Sequence, residues 1–132
     1  MQEQDRLFTL EEALELIPLV RQLLIEIQDR KRDLDERTGV LDDLMGRTSG
    51  NGHLAGQVAE ARKAIEGAGE ALQQLMAELE ATGAELKGIE QGLVDFRSLR
   101  EGRVVYLCWR LGEDTITWWH ELDTGFGGRQ PL

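Results

Sequence analysis

The sequence predicts an α+β domain: a long antiparallel helical hairpin followed by a small antiparallel β-meander of three to four strands. Three observations carry that prediction. An aliphatic stripe at helical spacing starts at Leu10, a heptad seam runs from Leu54 to Leu79, and beyond Gly83 the pattern changes to period two. That last segment holds every tryptophan and the single tyrosine of the 132 residues.

Thr9-Leu10-Glu11-Glu12 has the form of a capping box, so the first helix begins here and is expected over 9–45. Leu10, Leu14, Ile17, Val20, Leu24, Ile27 and Leu34 line one face, and Leu16, Leu19 and Leu23 widen it in the first half. Pro18 lacks the amide for Leu14, and because the period continues past it a kink is expected rather than a break. The glycine-rich stretch at 46–52 reads as a hairpin tip. A second helix over 53–82 places Leu54, Val58, Ala61, Ile65, Ala68, Leu72, Leu75 and Leu79 on one seam, and Gly83 suits its C-terminal end. The meander is expected over 84–124, with strands at Leu93 to Phe96, Arg103 to Leu111 and Thr115 to Leu122. Residues 125–132 form an extended tail, and the whole of 1–132 is read as one domain. An apolar content of 41% suffices for a core without metal or disulfide staples.

Charge narrows the partners. Fifteen Lys and Arg stand against 25 Asp and Glu, a net charge of -10 that repels phosphate backbones and anionic lipid, so neither nucleic acid nor membrane is expected. Met1 to Arg6 does not resemble a secretory leader, and no apolar window is long enough to span a bilayer. Cys108 is the single cysteine, which excludes an intrachain disulfide and points to a reducing, cytoplasmic location.

Cys108, His120 and Glu121 are the residue types of a nucleophile, its base and an orienting carboxylate, and are the catalytic candidates. Their use depends on one turn. A two-residue loop at Glu113-Asp114 pairs Leu107 with His120 and Cys108 with Trp119, which sends Cys108 and His120 to opposite faces. A three-residue loop pairs Cys108 directly with His120. The two-residue register is favoured, with Val105, Leu107, Trp109, Leu111, Ile116, Trp118, His120 and Leu122 facing the helices. A metal site could be drawn from His120, Glu121 and Asp123, completed by Asp95. Adjacent strand residues diverge, however, so no metal and no cofactor is predicted. Asp123-Thr124-Gly125 matches the aspartic protease triplet, but half of the chain is helical and the match is short. Gly125-x-Gly127-Gly128 with Arg129 lacks the helix that an anion cradle needs.

The segments Phe8 to Ala13, Gly92 to Phe96, Val105 to Glu113, Trp119 to Asp123 and the Gly125-Phe126 to Leu132 tail resemble one prokaryotic family, the domain of unknown function numbered two-two-zero-three. The resemblance implies no activity. It does imply recurring positions at Asp95, Cys108, Trp109, Glu113, Trp119, His120, Gly125, Phe126 and Arg129, of which Asp95, Trp109, Glu113, Trp119, Gly125, Phe126 and Arg129 are taken as binding candidates.

Three functional readings follow. The first is a non-enzymatic, homo-oligomeric interaction or scaffold protein, a homodimer or higher, because the wide apolar face of the first helix suits a four-helix bundle. The second is a small enzyme or metal-binding protein with Cys108, His120 and Asp95 at its site. The third is a small-ligand module using the tryptophan-rich sheet.

Overall fold

The computed structural model describes residues 6–47 and 54–132, and the fold is α+β as the sequence predicts. Helix α1 (Leu10–Arg47) and helix α2 (Ala55–Ala81) form the hairpin. A five-stranded antiparallel sheet follows, with strands β1 (Glu85–Gly88), β2 (Leu93–Arg100), β3 (Arg103–Arg110), β4 (Trp118–His120) and β5 (Gln130–Pro131) neighbouring one another in chain order. A 3-10 turn, Phe126–Gly128, precedes β5.

The start of α1 follows from its capping box. The Thr9 amide donates to Glu12 Oε1 at 2.8 Å and the Glu12 amide donates to Thr9 Oγ1 at 3.1 Å, so both orphan donors are satisfied. The residue before the cap is tied down as well: the Phe8 amide donates to the Arg97 carbonyl at 2.7 Å, and its ring meets Phe96 edge-on at 5.3 Å. From there α1 runs unbroken through Pro18. Ala13, Ile17, Val20, Leu23, Leu24 and Ile27 pack with Leu72 and Leu79 of α2 and with Val94, Phe96, Val105, Leu107, Trp109 and Trp119 of the sheet in one core. The second apolar face expected of α1 is narrower than its leucines suggest. Leu23 is buried, Leu16 is half-buried, and Leu19 is exposed.

The two helices differ along their length. Near the sheet Ala68, Leu72 and Leu79 are buried, whereas Leu54, Val58, Ala61 and Ile65 of the same seam are only half-buried. The expected tip at 46–52 lies mostly outside the described residues, and Gly46 and Arg47 belong to α1. No described helix is long and apolar enough to cross a membrane.

In the sheet, four expectations are corrected. Five strands form rather than three to four, because Glu85–Gly88 adds an edge ahead of β2 and the tail adds β5 at the other edge. The 125–132 tail is therefore structured: the Leu132 amide donates to the Thr117 carbonyl at 3.0 Å. Strand β2 is longer than expected and β4 shorter.

The register of β3 and β4 also differs from the favoured one. Tyr106 pairs with His120, Leu107 with Trp119 and Cys108 with Trp118, so Cys108 and His120 share a face. A two-residue loop does not form because the chain turns on its own groups at the end of β3. Trp109 Nε1 donates to the Glu113 carbonyl at 3.1 Å, and Glu113 Oε1 accepts from the Arg110 amide at 2.7 Å. Ile116 then enters the core, and pairing resumes only at Trp118. Trp119 consequently faces the helices, while Trp118 and His120 face outward with Tyr106 and Cys108.

Gly92 connects β1 to β2 with φ +69°, and a Cβ there would lie 2.6 Å from Leu111 Cβ. Both the left-handed backbone and the backbone-near clash oppose any side chain. We expect Gly92→Ala to destabilise the fold by about 2–4 kcal/mol, read from urea midpoints.

Candidate functional site

Strand β3 explains why a site can exist on the outer face. Its inward residues Val105, Leu107 and Trp109 belong to the core, so period two turns Tyr106 and Cys108 outward, yet these are buried too. What covers them is the segment beyond β4. Leu122, Gly125 and Phe126 join Lys87, Leu93, Asp95, Tyr106, Cys108 and His120 around a cavity of about 210 Å³.

The floor of this cavity is made by three adjacent strands. Asp95 of β2 pairs directly with Cys108 of β3, and His120 of β4 lies two residue pairs along, opposite Tyr106. Asp95, Cys108 and His120 are 3%, 1% and 2% exposed, which is rare for two such polar side chains and demands partners. One ligand atom from each, a carboxylate oxygen, the thiol sulfur and an imidazole nitrogen, all lie within 4.8 Å of one another.

The imidazole is oriented by two contacts. Nδ1 is 2.7 Å from the Glu121 carbonyl oxygen, which can only accept, so Nδ1 carries the hydrogen. In the neutral ring Nε2 is then a lone pair, and it points at Asp95 Oδ2 at 3.0 Å. Two acceptors facing each other in a buried site repel unless a cation, a proton or a metal ion, lies between them.

Burial raises the Asp95 carboxyl above its ordinary value, and His120, Cys108 and Lys87 only partly offset this. Cys108 is pushed up to about 12, mainly by burial and next by the Asp95 charge, with Arg129 opposing. A thiol held so high is a poor free nucleophile at neutral pH. Both ring nitrogens of His120 are taken by Glu121 and Asp95, so the thiol's side-chain partner is the Asp95 carboxyl rather than the imidazole.

The remaining sequence candidates fall into separate places. Glu121 contributes its backbone carbonyl to His120, while its carboxylate pairs with Arg103. Asp123 is exposed beyond β4 and outside the cluster. Gly125 and Phe126 line the cavity. Glu113 and Arg129 stand behind Cys108: Arg129 donates to Glu113 Oε1 at 2.7 Å and reaches the Cys108 carbonyl at 3.5 Å. The Arg129 guanidinium also stacks on Phe126 at 4.5 Å and Trp118 at 5.2 Å, which fixes the covering segment. Trp109 and Trp119 lie on the helix side of the sheet. Sequence reasoning did not single out Lys87, Leu93 or Leu122 as lining residues, nor Glu85, which accepts from Tyr106 Oη at 2.9 Å, Lys87 Nζ at 3.1 Å and Arg97 Nε at 2.7 Å. The alternation Glu85-Leu86-Lys87 was the available signal, and it marks a strand too short to stand out.

Fold and site together define an α+β protein in which a helical hairpin backs a sheet whose outer face bears one buried Asp-Cys-His pocket. The chain belongs to DUF2203, the family described as an uncharacterized conserved protein, which matches residues 6–132. No curated protein and no solved structure matches it.

The opposed acceptors make a sign prediction for the ion-free protein. In Asp95→Asn the new amide N–H donates to His120 Nε2, replacing a repulsion with a hydrogen bond. Chelator-treated Asp95→Asn should be more stable than the parent by about 1–3 kcal/mol at pH 7. Because the native Asp95 holds its proton above the ordinary 3.8, its favourable contribution exists below that value and is lost as pH rises. The stability gap should therefore widen from pH 4 to 7 in thermal melts. A loss of about 3–5 kcal/mol would instead identify a buried imidazolium-carboxylate pair.

Proposed function

We propose that this protein binds one divalent transition-metal ion, zinc before others, through Asp95 Oδ, Cys108 Sγ and His120 Nε2. The observation that carries the reading is the orientation of His120. A metal-ligating imidazole characteristically gives its other N–H to a backbone carbonyl or carboxylate, and Glu121 accepts that hydrogen here. Oxygen, sulfur and nitrogen donors in one set suit a borderline ion. A tetrahedral ion with bonds of about 2.0–2.3 Å separates its ligand atoms by about 3.3–3.8 Å, so the His120–Asp95 pair at 3.0 Å would open slightly and the three groups, within 4.8 Å of one another, would close around the ion. Three protein ligands leave a fourth position, and the cavity supplies room for it. In that position such an ion acts as a Lewis acid.

Binding would displace the Cys108 proton, and the charge of the ion would stabilise the thiolate that burial and Asp95 otherwise disfavour. A thiolate ligand requires reduced cysteine, which is consistent with the cytoplasmic location we propose.

Zinc titrated into chelator-treated protein should bind with a stoichiometry of about one in calorimetry, and cobalt should give a thiolate-to-metal charge-transfer band. Cys108→Ser and His120→Gln should each weaken zinc by about a hundredfold or more, since even outer partners of metal ligands cost 10–100-fold. Folded variants that keep full affinity, or no zinc uptake by the parent, would refute the site.

Self-association is a second reading, supported by the arm rather than the sheet. Val40 is 56% and Met45 47% exposed, and Val40 borders a groove shared with Leu44, Ala61 and Ala64. A second copy laid on this face would complete a four-helix bundle. Light scattering should show a dimer that Val40→Glu converts to a monomer, whereas a monomeric parent would exclude this assembly.

A further inference from the structure

We infer that the pocket is built for a small monocarboxylate with a short apolar tail, one oxygen taking the open metal position and the other meeting Lys87. The inference rests on the metal reading above and extends it to the ligand class. Charge comes first. In the loaded site the Asp95 carboxylate and the Cys108 thiolate balance the divalent ion. Arg97 pairs with Glu85 at 2.7 Å, and Arg129 pairs with Glu113 at 2.7 Å. Lys87 shares Glu85 with Arg97, at 3.1 Å, and is the ammonium that lines the cavity. One ammonium already shared with a carboxylate suits a monoanion better than a phosphate dianion.

Donor geometry agrees. An ammonium has three donors. Lys87 gives one to Glu85 Oε1 at 3.1 Å and one to Tyr106 Oη at 3.4 Å, and its Nζ rests 4.6 Å from the Tyr106 ring centroid. One donor remains for an occupant of the cavity it lines. Glu85 and the Tyr106 ring hold the ammonium in place, so a ligand that uses it meets a pre-positioned charge rather than a mobile chain.

The rest of the lining selects the remainder of the molecule. Leu93, Leu122 and Phe126 are apolar, and Leu122 and Phe126 are 46% and 40% exposed at a site whose floor is otherwise buried. Exposed apolar side chains beside a polar floor suit a ligand with a charged head and a hydrocarbon end. A cavity of about 210 Å³ is smaller than those that take drug-sized molecules, which restricts the occupant to a few carbon atoms.

The test uses the full chain in three states: zinc-loaded, chelator-treated, and zinc-loaded Lys87→Met. Zinc stoichiometry is measured first for each, which separates failure of the metal site from failure of this inference. Acetate, butyrate and inorganic phosphate are then titrated by calorimetry, and into the cobalt-loaded protein by absorbance. Butyrate should bind the loaded parent more tightly than acetate, by about fourfold for each added methylene that is fully buried, and phosphate should bind no better than acetate. Lys87→Met should weaken butyrate about tenfold or more while keeping its zinc, and Lys87→Arg should restore part of the loss. Equal butyrate binding with and without metal, no effect of Lys87→Met, or preference for phosphate would overturn the assignment while leaving the metal reading intact.

Discussion

Trp109 is fully buried, and its indole nitrogen can donate only once; it does so to the Glu113 carbonyl at 3.1 Å. That bond binds the largest core side chain to the turn that follows its own strand. The ring fills the space between sheet and helices, so it settles which face of β3 looks inward. The bond also holds residues 110–113 in a turn that delays pairing until Trp118. Because side chains alternate along a strand, these two effects decide the direction of every residue from Tyr106 to His120. If β3 or β4 slipped by one residue relative to the other, Cys108 and His120 would lie on opposite faces and the pocket would not exist.

Much of the fold was legible for reasons that are local. The capping box at Thr9 and Glu12 involves residues three apart, and both of its hydrogen bonds are present. The aliphatic period of α1 and the seam of α2 need only the pitch of a helix to be read. The edge strands were harder. Glu85–Gly88 and Gln130–Pro131 are too short to display a period, and each depends on a neighbour for its hydrogen bonds. Leu19 shows the limit of composition as a guide, since a leucine near a wide apolar face still points to solvent when no partner element reaches it.

For the site, residue types were visible but their convergence was not. Asp95, Cys108 and His120 were all named, by chemistry or by family resemblance. Whether they meet depends on the Glu113 carboxylate capping the Arg110 amide, a contact between a side chain and the backbone that a count of turn residues does not reveal. The resemblance marked Glu113 and Arg129 without a reason. The structure supplies one: together they close the outer face over Cys108 and fix the stacking of Phe126 and Trp118.

The packing of α1 and α2 changes along the hairpin, and this divides the molecule by local stability. At its base the two helices share one core with the sheet, so opening there exposes Phe96, Trp109 and Trp119 together. Toward the tip the helices hold only each other, through a half-buried seam interrupted by small residues such as Ala61 and Ala64. Fraying can begin at that end and travel inward without disturbing a single strand. The outer turns of the arm are thus thermodynamically insulated from the pocket, and a peptide tag or a spectroscopic probe placed there would report on the arm alone.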